Sequence, residues 1–219
     1  MSDASQNKAP VDRAAIAACL IVSFLFGMLH IFSIYVVPLE TAFGAGRAAV
    51  SFSYSLAIVC LALMVMWGHR LYGRVRPAVF FCIALGLGAV GLVMASFGTG
   101  LWGVWLGYGL VFGAANGLGY GFSLQFAARV WPDRAGWAMG LVTAAYAMGA
   151  SSTPPLMAWV MGFGGWQGAF VGQAALYLVA VPVVWILLRR SVVQFATGAE
   201  MAATVRWWDH RGLWLASKP

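Results

Sequence analysis

Apolar positions along this chain come in long, nearly unbroken runs, separated by short clusters of arginine, proline and glycine. Six runs each supply the roughly 20 apolar residues that one bilayer crossing needs. They lie at Ala14–Val37, Ala49–Trp67, Ala78–Phe97, Leu101–Ala128, Gly136–Met161 and Ala169–Leu188. Backbone polar groups in hydrocarbon must find partners within their own segment, so the runs predict helices. The expected fold class is therefore all-α: six transmembrane helices over residues 14–190, with cytoplasmic tails at 1–13 and 191–219. Pro38 predicts the end of the first helix, and Pro77 stands where a helix start tolerates a missing N–H. Pro154, Pro155 and Pro182 fall inside runs and predict kinks.

The fourth run carries a second pattern. Gly109, Gly113, Gly117 and Gly121 recur every four residues and so share one helix face. In a helix each glycine costs about 1 kcal/mol against alanine. In a bilayer such a face has a use, because small residues let helix backbones approach closely. This face is expected to touch a neighbouring helix rather than lipid. After a charged break from Arg129 to Gly136, a second small-residue helix is marked by Gly140, Ala144, Ala145 and Gly149.

Composition excludes a soluble domain: 62% of residues are hydrophobic and 9% charged, a membrane profile. The net charge of +7 does not point to nucleic acid, because the basic residues sit in loops and tails without forming a patch. With the N-terminus cytoplasmic, Arg47 alone of the 13 Lys and Arg residues falls on the outer side. That bias predicts both termini inside. Met1 to Arg13 is polar and mixed in charge, unlike a secretory signal. Cys19, Cys60 and Cys82 lie in apolar runs without metal-ligand spacing, and no cofactor motif is present. Val205–Trp214 is a short amphipathic stretch suited to the inner interface.

Several motifs carry a family resemblance. Gly117-Leu-Gly-Tyr-Gly121, then Ala128-Arg-Val-Trp-Pro-Asp-Arg-Ala-Gly136, then Ala138-Met-Gly140 and Ala144-Ala-Tyr-Ala-Met-Gly149 resemble helices four and five of major facilitator transporters. Gly27-Met-Leu-His-Ile-Phe-Ser-Ile-Tyr-Val-Val-Pro38 is similar to the first helix of the oxalate/formate antiporter and monocarboxylate porter branch. The resemblance covers roughly residues 14–190. It implies one six-helix half of a major facilitator fold in the inner membrane, a small organic anion such as a monocarboxylate as substrate, and no enzymatic activity.

The resemblance also suggests site residues. His30 falls where the antiporter branch carries a substrate-facing aromatic. As a neutral imidazole it can hydrogen-bond a carboxylate, and near its reference pKa of about 6.5 it can carry a proton; the alternative is a histidine packed against a neighbouring helix. Tyr120 and Tyr146 match tyrosines that line the central cavity. Asn116 and Gln125 are nine residues apart on one helix, so they point to opposite sides, one of them toward the cavity; Asn116 joins His30, Tyr120 and Tyr146 as an expected substrate-binding residue. In the turn after the second helix, Gly73, Arg74 and Arg76 match the basic half of the family's cytoplasmic signature. The aspartate of that signature is Arg70 here. The cluster reads either as a gate element or as a topogenic group of arginines. Arg129, Asp133 and Arg134 resemble the family's inner-turn element and suggest an ion-pair network there.

Two functional classes remain open at this level. One is a transporter half that works by pairing with a second copy or a partner half. The other is a truncated, non-transporting membrane subunit, favoured by Arg70 and by the abrupt tail. A rhomboid-like protease does not fit: Gly149-Ala-Ser-Ser152 faintly resembles its serine motif, but the late-helix histidine is missing. No arginine or lysine lies within an expected span, which disfavours a doubly charged substrate, since an unpaired buried charge is costly.

Overall fold

The computed structural model describes residues 11–189, all of them in helices and short turns. Lys8, the C-terminal tail and its amphipathic stretch lie outside the described residues.

Helix α1 (Arg13–Gly27) starts at Asp12, whose side chain accepts the Ala15 N–H at 3.1 Å. It passes without a break into a 3₁₀ stretch, Met28–Tyr35, and then into α2 (Val36–Phe43). Pro38 does not end the first helix as expected. It falls in the first turn of α2, where its missing N–H leaves little unmade. The stop comes at Gly44 instead, in the left-handed conformation at φ 58°, which glycine adopts without a Cβ clash. Across this turn Arg47 Nε donates to Glu40 Oε1 at 3.0 Å.

Helix α3 (Arg47–Tyr72) follows, and then α4 (Pro77–Phe97), which begins on its proline as expected. The fourth run is continuous but not uniform: α5 (Leu101–Val104), a π-helical stretch Trp105–Phe112, and α6 (Gly113–Val130). A 3₁₀ turn, Pro132–Arg134, leads into α7 (Ala135–Ser152) and then α8 (Pro154–Leu188). Pro154 and Pro155 open α8 rather than kinking the interior of a helix. The break inside α8 falls at Gly165, with φ 63° and ψ −166°, and not at Pro182. Glycine alone reaches that conformation easily, so it marks the boundary between the fifth and sixth runs.

Among the described residues, four helical stretches are long and apolar enough to cross a membrane: Arg13–Phe43, Arg47–Tyr72, Pro77–Phe97 and Pro154–Leu188. The first is the most enclosed, packed against α6, α7 and α8.

The glycine ladder faces α3. A Cβ on Gly113 would come within 2.6 Å of the Ala57 Cα, and one on Gly121 within 2.7 Å of the Tyr72 hydroxyl. At Gly109 the neighbour would be Leu56, at Gly117 the Leu61 backbone. Every rung therefore meets α3. On the other side of the same run, Gly107 in the π stretch lies against the backbone of Gly91 and Ala95 in α4.

Candidate functional site

The 3₁₀ stretch of the first helix builds the site. With 3.0 residues per turn, side chains three apart eclipse one another. Leu29, Phe32 and Tyr35 thus form one buried column, while His30 and Ser33 form an exposed one.

Side chains from three other segments take backbone carbonyls around the change from α to 3₁₀. Tyr177 Oη donates to the Leu25 carbonyl at 2.7 Å. Asn116 Nδ2 donates to Phe26 at 2.6 Å, and Tyr108 Oη, from the π stretch, donates to Leu29 at 2.6 Å. These bonds help to hold the tighter winding where it is.

Two glycines bring α7 onto this segment. A Cβ on Gly27 would collide with the Tyr146 carbonyl, and one on Gly149 with the Phe24 carbonyl. This backbone contact sets the Tyr146 ring beside His30, edge to face, with centroids 5.3 Å apart. Tyr120 packs on Tyr146 at 4.3 Å, and its hydroxyl lies 3.4 Å from Thr143 Oγ1. His30, Tyr146 and Tyr120 therefore make a continuous row of three rings drawn from three helices.

Exposure separates the expected site residues. His30 is exposed and Tyr120 partly so, whereas Tyr146 is 8% exposed and Asn116 fully buried. Asn116 spends its nitrogen on Phe26 and accepts the Tyr146 hydroxyl on Oδ1 at 3.1 Å. It stands behind the ring row and fixes it. Gln125 is exposed, on the opposite side of α6 as its spacing requires.

The inner-turn residues do not join this group. Arg70 is exposed in the last turn of α3, Gly73 caps that helix, and Arg74 N–H reaches the Leu71 carbonyl at 3.1 Å. Arg76 precedes α4. Arg129, Asp133 and Arg134 are exposed, and the Arg134 guanidinium lies over the Trp131 ring, 5.9 Å from its centroid.

Sequence reasoning passed over Tyr54. Its hydroxyl lies 2.7 Å from His30 Nδ1, and with His30 it borders a pocket of ≈ 330 Å³ completed by Phe32, Ser33, Val36 and Ser51. A tyrosine inside an apolar run reads as packing, so only the cross-helix distance reveals it. The polar groups here are hydroxyls, an amide and one imidazole. Among the described residues no cluster of His, Cys, Asp and Glu is suited to hold a metal ion. Neutral hydrogen-bond donors on aromatic walls suit a small, weakly charged organic molecule.

Comparison with known proteins adds the family. A family model described as the Major Facilitator Superfamily matches residues 16–214. Monocarboxylate transporter 13 of Rattus norvegicus is 29% identical over 160 residues, 72% of this chain and 37% of that protein. The protein of the same name from Bos taurus is 27% identical over 188 residues, 84% of this chain and 44% of its own length. The oxalate:formate antiporter of Oxalobacter formigenes is 24% identical over 180 residues, 82% of this chain and 42% of its length. The chain thus spans about two-fifths of the length of these curated relatives.

Proposed function

The chain belongs to the Major Facilitator Superfamily, and we propose that it supplies part of a membrane pathway for a small organic anion, a monocarboxylate. The observation that carries this reading is the ring row of His30, Tyr146 and Tyr120, braced from behind by Asn116. One negative charge can be met by a protonated imidazole or by an accompanying proton. Two cannot be met as readily, since desolvating an unpaired charge is costly. The names of the relatives, monocarboxylate transporter and oxalate:formate antiporter, agree with an organic anion.

In this reading the chain crosses the membrane six times. The π-containing run from Leu101 to Val130 supplies the fourth crossing; α7 with the first arm of α8 makes the fifth, and α8 beyond Gly165 the sixth. The arginine bias places both termini in the cytoplasm. The open side of the ring row is closed by a second six-helix bundle, either a partner half or a second copy, because facilitator sites lie between two such bundles. Binding there involves His30, Tyr120 and Tyr146 directly and Asn116 as their support. Arg70, Gly73, Arg74 and Arg76, with Arg129, Asp133 and Arg134, belong to the cytoplasmic turns.

The test is flux of labelled formate, acetate and oxalate into liposomes, comparing the parent with His30→Ala. Formate or acetate uptake lost in the variant supports the reading, and exchange of oxalate by a proven monomer overturns it. A second reading, a membrane subunit without transport, is favoured by Arg70 at the gate position and predicts no flux of any of the three.

A further inference from the structure

We propose that the pocket between the 3₁₀ stretch and α3 is a carboxylate-binding site, in which Tyr54 positions His30 so that its Nε2–H is presented to the ligand. This rests on the organic-anion reading above and assigns that anion a place and a set of donors. The pocket of ≈ 330 Å³ is bordered by His30, Ser33, Ser51 and Tyr54, with Phe32 and Val36 as its apolar wall. That is room for a molecule the size of acetate or a somewhat longer monocarboxylate, its polar end on the serines and imidazole and its carbon end on Phe32 and Val36.

The 2.7 Å distance leaves the direction of the contact between Tyr54 and His30 to the imidazole tautomer, and in the proposed site the phenol is the donor. A phenol is both donor and acceptor, and a neutral imidazole carries its proton on one nitrogen only. With the Tyr54 hydroxyl donating to Nδ1 across 2.7 Å, the imidazole proton belongs on Nε2, on the opposite edge of the ring. Nε2 has no hydrogen-bond partner among the described residues, and the side chain is exposed. The serines of the pocket add hydroxyl donors to the same space. Ser33 is exposed directly beyond His30 in its column, and Ser51 lies partly exposed on α3, one turn before Tyr54.

The site is built by both helices and needs both. The 3₁₀ winding stacks His30 and Ser33 in one line. A helical turn of α3 places Ser51 and Tyr54, three residues apart, on one face.

The test uses the full chain in lipid nanodiscs with ¹⁵N-labelled histidine, the His30 signals being assigned by their loss in His30→Gln. The parent is expected to show His30 protonated on Nε2. Tyr54→Phe is expected to give a mixture of the two tautomers with the protein still folded. Acetate is expected to move the Nε2 signal, and Ser33→Ala with Ser51→Ala to weaken that titration about tenfold, the effect of losing roughly one hydrogen bond, without altering the tautomer.

Protonation of His30 on Nδ1 in the parent overturns the role of Tyr54. Acetate that perturbs tyrosine signals of the Tyr120–Tyr146 pair but leaves His30 unmoved overturns the pocket while sparing the organic-anion reading. Acetate that perturbs neither group sinks both.

Discussion

The small-residue faces of α6 and α7 look alike in sequence and have opposite surroundings in the fold. Along α6 and the π stretch before it, Gly109, Gly113, Gly117 and Gly121 each lie where a Cβ would strike α3. On α7, Cβ atoms added at Gly136 and Gly140 would meet nothing within 4 Å. Trp137, Leu141 and Ala144 line a shallow groove with these two glycines. Toward its far end, at Tyr146 and Gly149, α7 presses on the backbone of Gly27 and Phe24. Spacing of small residues thus marks where a helix can be approached closely. It does not say whether the approaching helix belongs to the same chain.

The largest expected effect is on the sealed face. Gly113→Leu places a branched side chain where the Ala57 backbone already stands, and backbone cannot yield as a flexible side chain does. Overpacking of this kind is expected to cost about 3 kcal/mol, the top of the usual range, seen as a sharply lowered melting temperature and yield. A variant that melts like the parent would remove the distinction between the two faces.

Next in size is the support of the ring row. Asn116→Leu leaves the Tyr146 hydroxyl and the Phe26 carbonyl without their side-chain partner. A loss of about 1–3 kcal/mol is expected, the usual penalty for buried polar groups left unmade. Tyr146→Phe removes one bond of the same network and is expected to cost about 0.6 kcal/mol, the mean for polar contacts between membrane helices. Thermal melts of the two single variants and the double variant give the coupling. Purely additive losses would mean that the two side chains do not act as one unit.

The smallest effect is predicted for the open face. Gly140→Leu should leave the melting temperature of the isolated chain almost unchanged, since the new side chain enters free space. If a second bundle closes this face, the same substitution should abolish cross-linking between copies or to a partner. A strong drop in melting temperature without any change in association would show the face closed within the chain.

These contrasts also show what was legible beforehand. The runs gave the helices because backbone in hydrocarbon has few other options, and the α6 ladder gave a contact with a neighbouring helix, though not that the neighbour is α3. His30, Tyr120 and Tyr146 were named from motifs, and they do form one row. Asn116 was expected to reach the cavity, yet its buried amide is consumed by Phe26 and Tyr146, a choice among neighbours that spacing on one helix cannot reveal. The 3₁₀ and π stretches were invisible for another reason. Where nearly every residue is apolar, hydrophobic periodicity cannot distinguish one winding from another. Pro38 misled for a physical reason, since a missing N–H matters only relative to the turn in which it falls; the first helix stops at Gly44, and the non-helical break within α8 is at Gly165.

The 3₁₀ stretch has a consequence in length and rotation. At about 2.0 Å per residue against 1.5 Å for an α-helix, the eight residues from Met28 to Tyr35 reach about 4 Å further than they would as ordinary helix. Rewinding them as α would draw the turn at Gly44 toward α1 by that amount. It would also swing Ser33 about 60° around the axis away from His30. Tyr108, held on the Leu29 carbonyl from a stretch wound more loosely than an α-helix, spans the junction where any such screw motion would have to begin.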